Sequence, residues 1–540
     1  MKIQSPLSKK IFLLIFVLGV IIYTFQLYRV AKNYSQSHRF GDEDAHMLGG
    51  HLILKGYKPY KDFSGNHQPL TYWLPAAIQK IAPSNTLFPY VGRHRLEVYA
   101  YSIVWSIIYL VTFGPFVFFF ISIFELLKYV LLGNKVLGEV WALYPFLFLL
   151  GTVIKHTLLK KKISNVTLAI FSLATFTSAF SLLPLWPSIG LLNLYLLIAN
   201  RENRKKIFWQ FFPLFLLTII LFVLTPFMDY IQNTFVDNIT FVIPNMNKVS
   251  STADYFKMIF LPFNFIYSGS NLVSLTIFFF LLFYPLVLYI FWRIKRLVPF
   301  TVILVSLILS NNRTITLKFG DFHILPWIAA FIFIPIVTIS FLKEIKKLGK
   351  VRKIYFISII ILLMFSFWFN MLNKAEFYGN ILLNTTNDIS REHYINYSKS
   401  VKNGLGIKSI KKDGDRVFGI ANDTLAIWVA DAELAIPPLE SMSWQYDLPR
   451  FRKQIFEVFR NNPPEFFLMD SLAPLDGNDA VSKLVVNKLN TDYIRINHLK
   501  KPSELYVLKS KIPKVREKQW EEFEYYLFER PALPKGEPNL

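Results

Sequence analysis

Long uncharged apolar runs constrain this chain more than any other feature of its sequence. Ile11 to Tyr28, Val98 to Phe124, Ile207 to Phe227 and Ile354 to Met371 contain no Asp, Glu, Lys or Arg. A helix rises about 1.5 Å per residue, so each run suffices to cross a hydrocarbon core of roughly 30 Å. Only 18% of the 540 residues are charged, against about 25% in a typical soluble domain. The tract from Ile11 to Asn33 is too long for the apolar core of a signal peptide and lacks a small-residue cleavage site. It is expected to stay as an uncleaved anchor.

The formal net charge is +23. In a soluble protein that excess would suggest nucleic acid. Here much of it sits in short loops between apolar runs, which is the pattern of cytoplasmic loops, and nucleic acid is not expected as a partner. The basic clusters are Lys9-Lys10, Lys155 with Lys160 to Lys162, Arg201 with Arg204 to Lys206, Arg293 to Arg296, and Lys343 to Lys353. Two spans must separate each consecutive pair. That parity divides the stretch from Leu96 to Leu132 into two spans at Gly114-Pro115, a natural helix break. The expected spans then number about eleven, with a cytoplasmic N-terminus and an extracytoplasmic C-terminus. With no cysteine, disulfides, thiolate chemistry and Cys-ligated metals are excluded.

The fold class expected is an α-helical polytopic membrane protein with a C-terminal soluble α/β domain. The transmembrane domain covers 1–372, with a first outer loop at 31–95 and a second at 228–271. The first loop carries two helical stretches, Asp42–Lys55 and Pro69–Ile81. In the domain at 373–540, Arg416–Ile420, Glu465–Asp470, Tyr493–Asn497 and Leu505–Lys509 read as strands. Leu448–Arg460 and Asp479–Asn490 read as helices, with Asp479 an N-cap, and the tail beyond Lys511 reads as extended.

Chemistry concentrates in the first outer loop. Asp42, Glu43 and Asp44 stand side by side ahead of an amphipathic stretch, and His46, His51 and His67 follow. An ionised carboxylate beside the membrane could take a proton from an incoming hydroxyl. Equally, Asp42 could be an N-cap, with Glu43 and Asp44 favoured by the helix dipole. Asp42 and His46, four residues apart, could contribute to a divalent cation site of Mg or Mn type. On the outer side Arg93, Arg313, Lys318 and His323 could meet an anionic headgroup, while ordinary anchoring, loop and packing roles compete for each.

The spaced pattern Asp42-Glu43, then Gly56-Tyr57-Lys58-Pro59-Tyr60-Lys61-Asp62-Phe63, then Asn66 to Tyr72 ending Pro69-Leu70-Thr71-Tyr72, resembles the first outer loop of bacterial GT-C glycosyltransferases. These enzymes use polyprenyl-phosphate sugars and include the protein mannosyltransferase and aminoarabinose transferase groups. Lys318 to Pro326 is similar to the His-containing start of a late helix in such enzymes, although relatives often have Arg followed by His-Tyr, where Lys318 and His323-Ile324 stand here. The resemblance implies a GT-C-like fold in the inner membrane, with the C-terminal domain outside. It also implies an inverting transfer of sugar from a polyprenyl-phosphate donor to a glycan, lipid or protein acceptor, with no required cofactor. Asp42 matches the catalytic Asp and Glu43 its acidic neighbour. Asp44, His67, Arg93, Arg313, Lys318 and His323 become candidates for substrate binding. The competing readings are a polymerase or ligase with a lipid-diphosphate donor, and a transporter or flippase, which should carry midplane ionisable groups or repeated halves. No repeat is evident.

Overall fold

Apolar runs in a membrane must satisfy every backbone amide internally, so they fold as helices. The computed structural model describes residues 6–35, 39–65, 67–160, 163–242, 271–311, 321–342, 345, 386–420, 423–438, 448–469 and 479–531. Five described helices are long and apolar enough to cross a membrane: Leu87–Phe113, Gly138–Leu159, Arg204–Leu224, Thr276–Arg293 and Phe322–Ser340. Shorter apolar helices accompany them at Asn165–Ser181 and Leu297–Leu309, and the anchor forms one helix, Pro6–Tyr34. The apolar run Ile354 to Met371, the basic residues from Lys346 to Lys353 and the boundary at 372/373 lie outside the described residues.

The chain divides into two compact units. One comprises residues 1–36, 95–219 and 247–389; the other comprises 37–94, 220–246 and 390–540. In the first unit the break expected at Gly114-Pro115 is present. Helix Leu87–Phe113 stops there, Gly114 adopts a φ of +91°, and a 3-10 turn leads into helix Phe118–Leu127. Helices Gly138–Leu159 and Leu325–Ser340 are apolar on all sides and buried along nearly their whole length. That is how a helix inside a bundle reads. Close approach needs Gly151, where a Cβ would lie 2.5 Å from the Phe113 ring. By contrast, helix Arg204–Leu224 exposes Phe208, Phe212, Phe215 and Ile219, as expected of a surface facing lipid. The span at Thr276–Arg293 carries a two-residue turn at Leu282-Phe283, between helix Asn271–Leu281 and helix Tyr284–Arg293, and Pro285 stands in the first turn of the second.

The second unit is built on a five-stranded sheet. Its strands are β1 (Arg416–Ile420), β2 (Glu433–Leu434), β3 (Phe466–Met469), β4 (Tyr493–His498) and β5 (Lys501–Leu508), in the order β2-β1-β3-β5-β4. β1 pairs parallel with β2 and β3, while β5 runs antiparallel between β3 and β4. Alternation along each strand sends neighbours to opposite faces. Phe418, Phe467 and Met469 pack with Ile455 and Phe459 of helix Pro449–Asn461 and Val485 and Leu489 of helix Ala480–Asp492. Val417, Phe466, Leu468, Leu505 and Val507 face the other way, into a core shared with Ala45, Leu48, Leu52, Tyr60, Phe63 and Tyr72 of the first outer loop. One sheet face therefore belongs to the same core as the loop that carries the acidic trio.

Asp479 caps its helix as expected, accepting from the amides of Val481 and Ser482 at 2.9 and 3.1 Å. The extended tail is corrected. Residues Lys509–Lys514 form a 3-10 turn and Glu517–Tyr525 an α-helix. Trp520 and Phe523, three apart, both bury one face of that helix, and the Arg516 amide is satisfied by Gln519 Oε1 at 3.2 Å. Such a face outweighs the high local charge.

Candidate active site on the acidic helix

The acidic helix runs Gly41–Leu54 and has Phe40 as its N-cap, with no side-chain cap bond. Asp42 is thus inside the first turn and is not the cap. All three carboxylates lie in that turn, where the helix dipole favours negative charge. Their environments differ. Glu43 and Asp44 are fully buried, whereas Asp42 is half-buried and keeps access to solvent.

Asp44 is held by Arg39, whose Nε donates to Oδ2 at 2.6 Å. The same guanidinium donates from Nη2 to Asp423 Oδ1 at 3.2 Å. Asp423 also receives the hydroxyl of Ser400 and, at 3.1 Å, the amide of Asn403. Burial alone would lower the Arg39 pKa; Asp44 and Asp423 more than offset it and hold the guanidinium charged, above its usual range.

The middle of the helix is pinned through one carbonyl. Met47 O accepts from Gln79 Nε2 at 2.9 Å and from the Tyr90 hydroxyl at 2.7 Å. Gln79 Nε2 also lies 3.2 Å from His94 Nε2, and His94 Nδ1 lies 2.8 Å from Tyr90 O. A carbonyl accepts only, so the proton belongs on Nδ1 and Nε2 accepts from Gln79. Gly50 lets the neighbouring helix, Leu70–Ile81, close in: a Cβ there would sit 2.7 Å from the Ala76 nitrogen and 2.8 Å from Pro75 Cβ.

At its far end the helix meets Asp431, the C-cap of the short helix Thr424–Ala430. Lys55 pairs with Asp431, and His51 Nε2 approaches it at 3.5 Å. Burial, and the nearby Lys55, hold the His51 pKa below 6.5 despite Asp431. Beside this end opens a groove of about 480 Å³ lined by Lys55, Tyr57, Lys61, Asp62 and Leu434 to Pro437. It lies roughly 20 Å along the helix axis from Asp42, too far to hold a hydroxyl that Asp42 would touch.

His46 and His67 come together in this unit. His46 is fully buried, its ring edge-on to His67 at 4.4 Å and to Tyr72 at 5.7 Å. His67 is half-buried, and its carbonyl accepts from the Tyr60 hydroxyl at 2.8 Å. Among the described residues no three His, Cys, Asp or Glu side chains converge as a metal-ligating set. Arg93 turns its guanidinium onto the carbonyls of Ala82 (3.2 Å) and Pro83, closing the turn after helix Leu70–Ile81. Asp237, of the second outer loop, forms an ion pair with Arg450.

His323 belongs to the other unit, at the 3-10 turn Asp321–Ile324, with Nε2 3.9 Å from Glu139 Oε1. Arg313 and Lys318 lie outside the described residues. That unit also holds a buried ion pair that the sequence reading passed over. Lys128 Nζ lies 2.5 Å from Glu125 Oε2, the Tyr144 hydroxyl donates to Glu125 Oε1 at 2.6 Å, and Ser102 reaches Oε2 at 3.1 Å. Its i,i+3 spacing was the available signal.

No family model matches the chain, and no curated protein matches it. Among solved structures, the crystal structure of ArnT from Cupriavidus metallidurans bound to undecaprenyl phosphate is similar, with a TM-score of 0.48 and 10% identity over 92% of this chain and 97% of that one. So distant a likeness carries no argument about chemistry, and the functional reading rests on the site itself and on the motifs.

Proposed function

We propose that this chain is an inverting GT-C glycosyltransferase of the inner membrane, moving a sugar from a polyprenyl-phosphate donor to an acceptor hydroxyl on the outer face. The observation that carries the reading is the division of labour in the acidic turn. Asp44 is committed to Arg39, Glu43 is enclosed, and Asp42 retains solvent access. Asp42 matches the motif's catalytic Asp, and an accessible carboxylate is what a base toward an incoming hydroxyl requires.

In the proposed step Asp42 takes the acceptor's proton as the acceptor oxygen bonds to the anomeric carbon. The bond from that carbon to the phosphate oxygen breaks, and the leaving group is the lipid phosphate. The phosphodiester carries one negative charge and the departing monoester two, so positive groups must meet the added charge. Arg313, Lys318 and His323 are the proposed partners of that phosphate. Glu43 is proposed to keep the field at Asp42 negative, which favours proton uptake. Asp44 is proposed to act through Arg39 and not on substrate; His67, whose ring meets His46 one turn further along the helix, is a candidate sugar contact. Arg93 is proposed as a brace for the loop. A divalent cation at Asp42 and His46 is not required by this step.

The test is to supply purified protein with labelled polyprenyl-phosphate sugars and a mixture of acceptors, following release of lipid phosphate. Release matched by transferred sugar, with its anomeric configuration inverted, is expected. Release only from diphosphate donors, or from none, would overturn the reading.

A further inference from the structure

Helix Gly41–Leu54 is tied to helix Thr424–Ala430 at both ends, and the ties fall on the two caps of the shorter helix. Asp423 is its N-cap and Asp431 its C-cap. Arg39, two residues ahead of the acidic helix, bridges Asp44 and Asp423 at 2.6 and 3.2 Å, with both carboxylates buried. Lys55, the C-cap of the acidic helix, pairs with Asp431, whose carbonyl also accepts from Lys411 Nζ at 2.6 Å. Between the ties, Ala45, Leu48 and Leu52 share one core with Ala426, Ile427 and Ala430. Trp428 stacks on Tyr90 at 4.2 Å, the residue whose hydroxyl holds Met47 O.

Apolar contact alone would dock two helices more cheaply than a buried three-membered charge network, because each buried ion carries a desolvation cost. What the network adds is register. A guanidinium is a rigid planar fork, and one that bridges two carboxylates fixes both the rotation and the axial position of the first helical turn. That turn carries Asp42.

We infer that Arg39 and Asp423 are positioning residues for Asp42, so that helix Thr424–Ala430 with its two caps is a working part of the catalytic site and not a separate appendage. The inference rests on the transferase reading above. Displacing a reacting group by about 1 Å costs on the order of 10²-fold in rate. Loss of the clamp should therefore lower kcat about that much while the donor KM stays near the wild-type value, since the clamp's charged groups are already paired with one another.

The experiment compares wild type, Arg39→Ala, Asp423→Asn and Asp42→Asn as full-length protein. It measures kcat and donor KM, together with hydrogen–deuterium exchange over residues 41–54. Asp423→Asn keeps the side-chain shape and serves if Arg39→Ala does not fold. Faster exchange in the acidic helix, a fall in kcat and a constant KM are expected in both clamp variants. Unchanged exchange, unchanged kcat, or a loss confined to KM would overturn the clamp while Asp42→Asn remains inactive. If Asp42→Asn retains full rate, the transferase reading fails, and the positioning role falls with it.

Discussion

Within the acidic turn three like charges occupy consecutive positions, and the surrounding structure treats each differently. Asp44 is neutralised by Arg39, Glu43 is fully buried, and Asp42 is half-buried. Such separation of environments is how adjacent carboxylates acquire distinct roles. His51 shows the same principle with a measurable consequence for stability. Burial and Lys55 hold its folded pKa below 6.5, so the unfolded chain binds the extra proton first. Its contribution is complete above the unfolded value, declines as pH falls through about 6.5 toward the lower folded value, and changes no further below that. His51→Gln should therefore flatten the fall in thermal stability just below about pH 6.5. Melting in detergent across that window checks it, and an unchanged slope would assign the fall to other groups. Asp431, the carboxylate facing His51, is depressed by Lys55 in spite of its burial, so it titrates below that window and leaves the test clean.

At the scale of elements, the function of the first outer loop depends on how closely its two helices approach. Gly50 faces Ala76 and Pro75 at distances a methyl group cannot share without movement. The obstacle at Ala76 is backbone, so the helices must separate. Gly50→Ala should cost about 1–3 kcal/mol, the usual effect of overpacking a close contact, and lower the melting temperature. A stability equal to wild type would mean that the helices are not held at this spacing. The elements themselves were largely legible. The expected helices Asp42–Lys55 and Pro69–Ile81 match Gly41–Leu54 and Leu70–Ile81, and β1, β3, β4 and β5 fall where alternation placed them. Helix Thr386–Ile410, polar along most of its length, was not foreseen, and three further features were not legible for physical reasons. β2 is two residues long, too short for any alternation to register. Helix Thr424–Ala430 is a single apolar patch whose meaning comes from what packs on it. The tail helix was hidden because charge and Pro513 outweighed the spacing of Trp520 and Phe523 in a local reading.

On the scale of the whole molecule, the trio Asp42 to Asp44 could be found from sequence, but its partner could not. Arg39 and Asp423 are 384 positions apart, and no local pattern links them. The division of the chain carries the same lesson: residues 37–94 and 220–246 join 390–540 in one compact unit. The parity of the basic loops predicts that this unit lies outside the cytoplasm. Because the chain has no cysteine, single cysteines introduced at exposed Lys61 and Glu433 give an unambiguous readout. Both should react with a membrane-impermeant maleimide in intact spheroplasts. Labelling only after lysis would place the acidic helix in the cytosol and break the topology.

The most direct measurement is the turnover of Asp42→Asn against wild type on one polyprenyl-phosphate sugar, with donor affinity determined in parallel. Removing a general base should lower kcat by about 10²–10⁴-fold and leave donor affinity unchanged. An Asp42→Asn protein that transfers sugar at the wild-type rate would contradict the account.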